Sequence, residues 1–288
     1  MKFLVLGATG MAGHMVAHYL QEQGHEVVGF SHVPLEGLHM SICGDVRRLP
    51  VLEGILQVGD FDYVINCIGV LNKNAENDVE NAIFINSYFP HWLSKIVKGM
   101  KTRLIHLSTD CVFSGKRGKY ALSDAPDGIS VYDKTKALGE IIDNRNLTFR
   151  NSIIGPDMRE NGIGLFNWFM KQNEEVDGYT ASIWSGVTTL TLAKAIEMAA
   201  EKHLTGVYHL TNNQPISKFE LLKIVNKYFR DGKIKINKIT GICHDKSIIN
   251  ERTDFLFEVP TYEKMIIEMR SWVQIHSDLY PSYLVGGE

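Results

Sequence analysis

The first thirteen residues join a short apolar run to a glycine-rich loop and then to a helical pattern. Residues 2–6 (KFLVL) are mostly apolar and glycines follow at once, which is typical of a buried strand in a parallel sheet. Gly7, Gly10 and Gly13 then open a helix with the spacing G-x-x-G-x-x-G. Glycines let a backbone approach a pyrophosphate, and a helix N-terminus presents free N–H groups at its positive end. The loop predicts a dinucleotide site rather than a purely structural turn. We assign four of its residues to cofactor binding: Gly7, Thr9, Gly10 and Met11.

Strand-like and helix-like segments alternate through the first half of the chain. The pattern predicts a helix over 79–99, kinked at Pro90, and another over 132–144. Such alternation indicates an α/β fold, a Rossmann-type doubly wound parallel sheet that binds ligands at the carboxyl edge of its strands. After residue 156 the alternation of strand-like and helix-like segments becomes less regular. We therefore predict an NAD(P)-binding Rossmann domain over 1–155 and a smaller α/β substrate-binding lobe over 156–288, some of whose segments return to the Rossmann domain.

Composition excludes several classes of function. The chain has 288 residues, 44% of them hydrophobic, and a formal net charge of −3, so it lacks the basic surface expected of a nucleic-acid-binding or membrane-surface protein. No stretch reaches the roughly 20 apolar residues that span a bilayer, and the N-terminus does not resemble a signal peptide. Four scattered cysteines without CxxC spacing predict neither a metal site nor a disulfide framework. We expect a cytoplasmic protein.

The residues after the second and third predicted strands bear on cofactor choice. An acidic residue at the end of the second strand would bind the ribose 2′-OH of NAD. Ser31 and His32 stand there instead, which favours NADPH, with NADH also accepted because no arginine follows this strand. Asp45 and Val46, just past the third strand, are candidates for the adenine edge, the alternative being an ordinary exposed loop.

Three residues make a candidate proton-transfer group. Thr109 emerges from the end of a strand, Tyr132 follows 23 residues later, and Lys136 lies one helical turn beyond. Lys136 would hold positive charge near the phenol and lower the pKa of Tyr132 from about 10. Thr109 would hydrogen-bond the substrate oxygen that is being reduced. We predict that Thr109, Tyr132 and Lys136 are catalytic, and that Tyr132 and Lys136 also contact the cofactor.

Several motifs together resemble the extended short-chain dehydrogenase/reductases, and within them the dTDP-4-dehydrorhamnose reductase-like family. The resemblance covers nearly the whole chain and rests on the glycine loop and on these stretches: INCIG, FINSYFP, STDCVFSG, YDKTKALGE and FRNSIIG. It implies reduction of the 4-keto group of a nucleotide-diphosphate 6-deoxyhexose, in the synthesis of a cell-surface polysaccharide. It also implies a homodimer as the default expectation. By resemblance, Asn66 and Gly69 match the strand end that lies along the nicotinamide half, and Arg150, Asn151 and Ser152 match the strand near the nicotinamide and the substrate. We also assign Cys67, Ile68 and Gly69 to cofactor binding.

Departures from the family pattern concern the sugar. Asp133 replaces the glycine usual after the tyrosine, Cys111 a frequent aromatic, and Asn151 a common threonine. Cys111 also argues against a 4,6-dehydratase, since those relatives carry a glutamate there; a 4-epimerase is harder to exclude. We assign three residues to substrate binding: Val70, Asn151 and Trp184. Two alternatives stay open, a reductase of a UDP-2-acetamido-2,6-dideoxy-4-keto-hexose and a non-catalytic regulatory subunit of the same fold.

Overall fold

The computed structural model describes residues 1–159 and 162–283. Its first half alternates strands and helices. The elements in order are β1 (Lys2–Leu6), α1 (Met11–Glu22), β2 (Glu26–Ser31), β3 (Met40–Cys43), α2 (Leu49–Val58), β4 (Tyr63–Asn66), α3 (Asn72–Asn77), α4 (Val79–Ala82), a π-helix (Ile83–Tyr88), α5 (Phe89–Val97), β5 (Arg103–Leu107), a 3-10 turn (Asp110–Val112), α6 (Val131–Leu138) and β6 (Leu147–Arg150).

The second half has shorter strands and three long helices. Its elements are β7 (Ile153–Ile154), α7 (Leu165–Met170), β8 (Glu175–Tyr179), β9 (Ser182–Trp184), β10 (Val187–Thr188), α8 (Thr189–Glu201), β11 (Gly206–His209), β12 (Ile216–Ser217), α9 (Lys218–Phe229), β13 (Lys235–Ile239), β14 (His244–Asp245), α10 (Tyr262–Ile275) and two 3-10 turns (Ser277–Leu279 and Pro281–Tyr283). In the described part of the chain, no helix is both long and apolar enough to cross a membrane.

Seven parallel strands form the central sheet, in the order β11-β6-β5-β4-β1-β2-β3. The order reverses between β1 and β4, and this switch point is where doubly wound sheets bind ligands. Residues of β1 alternate between two apolar cores: Phe3 and Val5 face one side, and Leu4 and Leu6 face the other. Because both faces are covered by helices, every residue of β1 after Lys2 is buried. The predicted fold class is confirmed.

The second half of the chain supplies parts of both layers. Strand β11 extends the large sheet beside β6, and α8 packs against α1. Smaller sheets pair β13 with β8, β10 with β7, and β9 with both β12 and β14. The domain boundary after residue 155 stays a prediction, since residues of both halves share one apolar core.

Two predicted helices differ from those observed. The helix expected over 79–99 runs from α4 through a π-helix into α5, and Pro90, which has no backbone N–H to donate, lies in the first turn of α5. The wider π turn precedes the proline. Helix α6 ends at Leu138, earlier than predicted, and Gly139 is its C-cap. A Cβ at Gly139 would lie 1.8 Å from the carbonyl oxygen of Asn86, so only glycine fits at this position.

Candidate active site

The glycine loop between β1 and α1 is held in a tight turn. Gly7 has a φ of +76°, which favours glycine, and its carbonyl accepts a hydrogen bond from the Gly10 backbone N–H at 2.9 Å. A Cβ at Gly13 would lie only 2.1 Å from the Gly7 carbonyl oxygen, so the helix packs against the loop only without a side chain there. Gly10 is the N-cap of α1 and adds no capping side chain to the N–H groups of the first turn. This arrangement fits a pyrophosphate.

A cleft of about 230 Å³ opens beside this loop, where β1, β2, β3 and β4 end. It lies at the switch point of the sheet. Most of the residues predicted to bind the cofactor line it: Gly7, Thr9, Ser31, His32, Asp45, Val46 and Ile68. The remaining predicted cofactor residues lie outside its lining: Gly10, Met11, Cys67, Gly69, Tyr132 and Lys136.

Arg47 is a cleft residue that sequence reasoning missed. It lines the cleft together with Ser31 and His32, although it follows β3 rather than β2. Its Nη2 donates to Asn81 Oδ1 at 2.6 Å, which links the loop after β3 to helix α4. The pairing of parallel strands β2 and β3 brings their ends together, so a search for basic residues after both strands would have found it.

Thr109, Tyr132 and Lys136 lie at the carboxyl end of β5. Their residues are 6%, 8% and 4% exposed, respectively. Ser130 and Asp133 form a capping box at the start of α6, which fixes the helix that carries the tyrosine and the lysine. The Thr109 hydroxyl donates to Asp110 Oδ1 at 3.2 Å and accepts from the Cys111 backbone N–H at 3.1 Å.

The phenol of Tyr132 is buried rather than primed for ionisation. Burial raises its pKa well above the usual value near 10, and Cys111 and Asp110 raise it further. The Thr109 side chain opposes this rise. The predicted lowering of this pKa by Lys136 is therefore wrong for this structure, because desolvation of the phenol dominates. At neutral pH the phenol keeps its proton, the form that can act as an acid.

Lys136 is held beside the end of β5. Its Nζ donates to the carbonyl oxygen of Leu107 at 2.6 Å. Burial lowers the pKa of this amine from 10.5 to about 8, while Glu140 and Cys67 raise it. The side chain therefore remains mostly an ammonium at pH 7 and brings a positive charge to the site.

Asn86, in the π-helix, ties α6 to the loop after β4. Its Nδ2 donates to Val70 O at 2.9 Å and to Thr135 Oγ1 at 3.1 Å, and its Oδ1 accepts from the Val70 N–H at 2.9 Å. Sequence reasoning recognised Asn86 only as part of a motif. The sequence signal for a structural role was an amide side chain within a mostly apolar helical stretch, and the structure buries that side chain.

Glu140, the last residue of the YDKTKALGE stretch, forms a buried ion pair that stabilises the fold. Glu140 accepts bonds of 2.7 Å from Arg150 Nε, Arg150 Nη2 and the Ser108 hydroxyl, and the two charged side chains are 2% and 4% exposed. Arg150, placed by resemblance near the nicotinamide and the substrate, therefore directs donors into the interior of the protein. Arg150 is not among the residues that line the cleft.

The three predicted substrate residues lie in different surroundings. Val70 lines the cleft and also packs in the cluster that contains Tyr132. Asn151 is buried, and among the described residues its Oδ1 has no hydrogen-bond partner. Trp184 is 8% exposed and packs against Tyr262 with ring centroids 5.6 Å apart, so its burial favours a core role.

Several known proteins are similar to this chain in sequence or in fold. One relative is Agl14 of Haloferax volcanii, a probable low-salt glycan biosynthesis reductase, which is 36% identical to this chain where the two match. The match covers 49% of this chain and 48% of Agl14, so this chain spans about half the length of that relative. A dTDP-4-dehydrorhamnose reductase of Aggregatibacter actinomycetemcomitans is 25% identical over 76% of each chain. The crystal structure of dTDP-4-dehydrorhamnose reductase from Bacillus anthracis in complex with NADP has a TM-score of 0.79 at 20% identity and covers 93% of this chain and 98% of that one, a likeness of fold. Residues 1–247 match the model of the RmlD substrate binding domain, and the chain belongs to that family.

Proposed function

We propose that this protein is an NAD(P)H-dependent oxidoreductase that reduces the 4-keto group of a nucleotide-diphosphate 6-deoxyhexose. One observation carries the proposal. Thr109, Tyr132 and Lys136 are buried at the carboxyl end of β5, and Val70 both packs against the cluster that contains Tyr132 and lines the cleft. A proton donor beside a nucleotide cleft is the arrangement that carbonyl reduction requires.

The glycine loop and the N-terminus of α1 would hold the cofactor's pyrophosphate, and Asp45 and Val46 its adenine edge. Lys136 would bind the nicotinamide ribose. When bound, the reduced nicotinamide supplies the hydride that C4 receives. NADPH is the expected cofactor and NADH a second one.

Three side chains handle the proton and the developing negative charge. Tyr132, neutral at pH 7, would donate its proton to the C4 oxygen of the sugar. The Thr109 hydroxyl would orient and polarise that carbonyl, and the Lys136 ammonium would stabilise the phenolate that Tyr132 becomes. Bulk water is excluded because all three residues are buried.

dTDP-4-dehydrorhamnose is the best candidate for the substrate. The motif resemblance and the names of relatives support it, and the product would enter a cell-surface polysaccharide. All four cysteines are free thiols, which fits the proposed cytoplasmic location.

One structural observation favours a second candidate, a UDP-2-acetamido-2,6-dideoxy-4-keto-hexose. The buried Oδ1 of Asn151 is an acceptor that an acetamido N–H would satisfy. The family more often has threonine at this position. A non-catalytic regulatory subunit is the alternative from a different class of function.

Absorbance at 340 nm distinguishes these functions. Purified protein would be mixed with NADPH and, separately, with dTDP-4-dehydrorhamnose and the UDP-acetamido 4-keto sugar, with buffer as the blank. Oxidation of NADPH with the dTDP sugar alone supports the first candidate, and oxidation with the UDP sugar alone supports the second. NADPH binding without turnover of either sugar would favour the regulatory subunit.

A further inference from the structure

The ends of β2 and β3 lie side by side at one wall of the cleft. Ser31 pairs with Cys43 in the parallel register, and the Gly44 N–H donates to the Ser31 carbonyl at 2.9 Å. Residues that follow β3 therefore lie next to those that follow β2. In sheets of this type, the cofactor's adenosine ribose is bound at the end of β2.

The end of β2 offers nothing that repels a phosphate. The Ser31 hydroxyl donates to the Val33 carbonyl at 2.7 Å, and His32 is exposed at the cleft. A carboxylate here would accept a hydrogen bond from a ribose 2′-OH and repel a 2′-phosphate. No carboxylate stands at this strand end, so a nearby cation can recognise a phosphate here.

Arg47 is a cation positioned at this wall. Its backbone N–H donates to Asp45 Oδ1 at 2.9 Å, which fixes the turn from which the side chain extends. Its Nη2 is bound to the neutral amide of Asn81, and its Nη1 lies 3.8 Å from Asp45 Oδ2. The side chain is 55% exposed. A guanidinium has five N–H donors, so most of them are available to a ligand with several acceptor oxygens.

We propose that Arg47 binds the 2′-phosphate of NADP(H) and sets the preference for it over NAD(H). Selectivity is then supplied by the loop after β3, which lies beside the end of β2. The inference rests on the proposed function, because it requires a dinucleotide in this cleft. Arg47 is a specificity residue in this account and takes no part in proton transfer.

Titration calorimetry with fragments of the cofactor tests this directly. The ligands are 2′,5′-ADP, which has one phosphate at the 2′ and one at the 5′ position, and 5′-ADP, which has both phosphates at the 5′ position and a free 2′-OH. The proteins are wild type, Arg47→Gln and Arg48→Gln, and each variant is compared with the wild type on the same ligand. Arg48 is the adjacent exposed arginine and does not line the cleft. Arg47→Gln should weaken 2′,5′-ADP binding about 10- to 100-fold, the range for loss of charge-assisted hydrogen bonds, and leave 5′-ADP binding unchanged. Arg48→Gln should change neither.

The other outcomes overturn the inference in distinguishable ways. If Arg47→Gln weakens both ligands equally, Arg47 supports the adenine or the local fold and does not read the phosphate. If it weakens neither, another group confers selectivity. In both of these cases, binding of 5′-ADP by the wild type would still support a cofactor site in the cleft. If the wild type binds neither ligand, that result would contradict the proposed function itself.

Discussion

The positive charge of Lys136 lowers the stability of the folded protein, because the amine is buried. Burial lowers its pKa from 10.5 to about 8, and Glu140 and Cys67 offset only part of this. At about 1.4 kcal/mol per pKa unit, keeping the amine protonated destabilises the folded protein by about 3 kcal/mol. Because the folded pKa is the lower one, the unfolded chain binds the proton more tightly. The destabilisation is fully present below pH 8 and disappears as the pH rises from 8 to 10.5.

Replacing this lysine by methionine should therefore stabilise the protein at neutral pH. Lys136→Met removes the charge but also the hydrogen bond to the Leu107 carbonyl, which is worth about 1 kcal/mol. We expect a net gain of about 2 kcal/mol in the free energy of unfolding at pH 7, falling to near zero at pH 10. Lys134, exposed on the same helix, gives the matched control, and Lys134→Met should change stability by less than about 0.5 kcal/mol.

Urea unfolding followed by tryptophan fluorescence, at pH 7 and pH 10, measures the difference. A Lys136→Met midpoint at or below that of the wild type at pH 7 would refute the reasoning. So would a difference that does not shrink at pH 10. The stabilised variant should also lose reductase activity, since the proposed role needs the ammonium.

Two further substitutions test the packing around the site. Gly13→Ala would place a Cβ 2.1 Å from the Gly7 carbonyl oxygen, so we expect at least tenfold weaker 5′-ADP binding by calorimetry and a lower urea midpoint. Gly54→Ala, where a Cβ meets no atom within 4 Å, is the control and should preserve both; equal effects of the two substitutions would contradict the steric argument. Lys246→Met should lower the free energy of unfolding by about 3 kcal/mol, because it leaves the Asp133 carboxylate, 3.6 Å from Nζ and 10% exposed, without its cation. Adding Asp133→Asn should restore most of that loss in urea unfolding, and purely additive losses would show that the two charges are not coupled.

Much of the fold could be read from local patterns. The run KFLVL, the glycine loop and the following helix appear where they were predicted, because strand burial and glycine geometry depend on neighbours in sequence. The S-x-x-E stretch at Ser217 also caps its helix, with the serine side chain accepting from the Glu220 N–H. The parallel sheet covered by helices on both faces follows from the alternation of strands and helices along the chain.

Features that depend on distant contacts were not predictable in this way. Arg47 reaches the cleft through the register of β2 with β3, and Gly139 is required after α6 because the backbone of Asn86 lies against it. The pKa of Tyr132 depends on how completely the folded chain removes water from the phenol, which helical spacing does not reveal. Trp184 has the aromatic character of a nucleotide contact, yet the packing of its sheet buries it.

The central claim is that Tyr132 donates the proton in a carbonyl reduction. The most direct measurement is kcat for wild type and Tyr132→Phe at pH 7, with NADPH and whichever 4-keto sugar nucleotide the wild type reduces, beside the Kd of each protein for 2′,5′-ADP. The account predicts a fall in kcat of about 10²- to 10⁴-fold, the usual contribution of a positioned acid, with an unchanged Kd. A kcat within a few fold of the wild type would contradict it, because the proton would then come from another group.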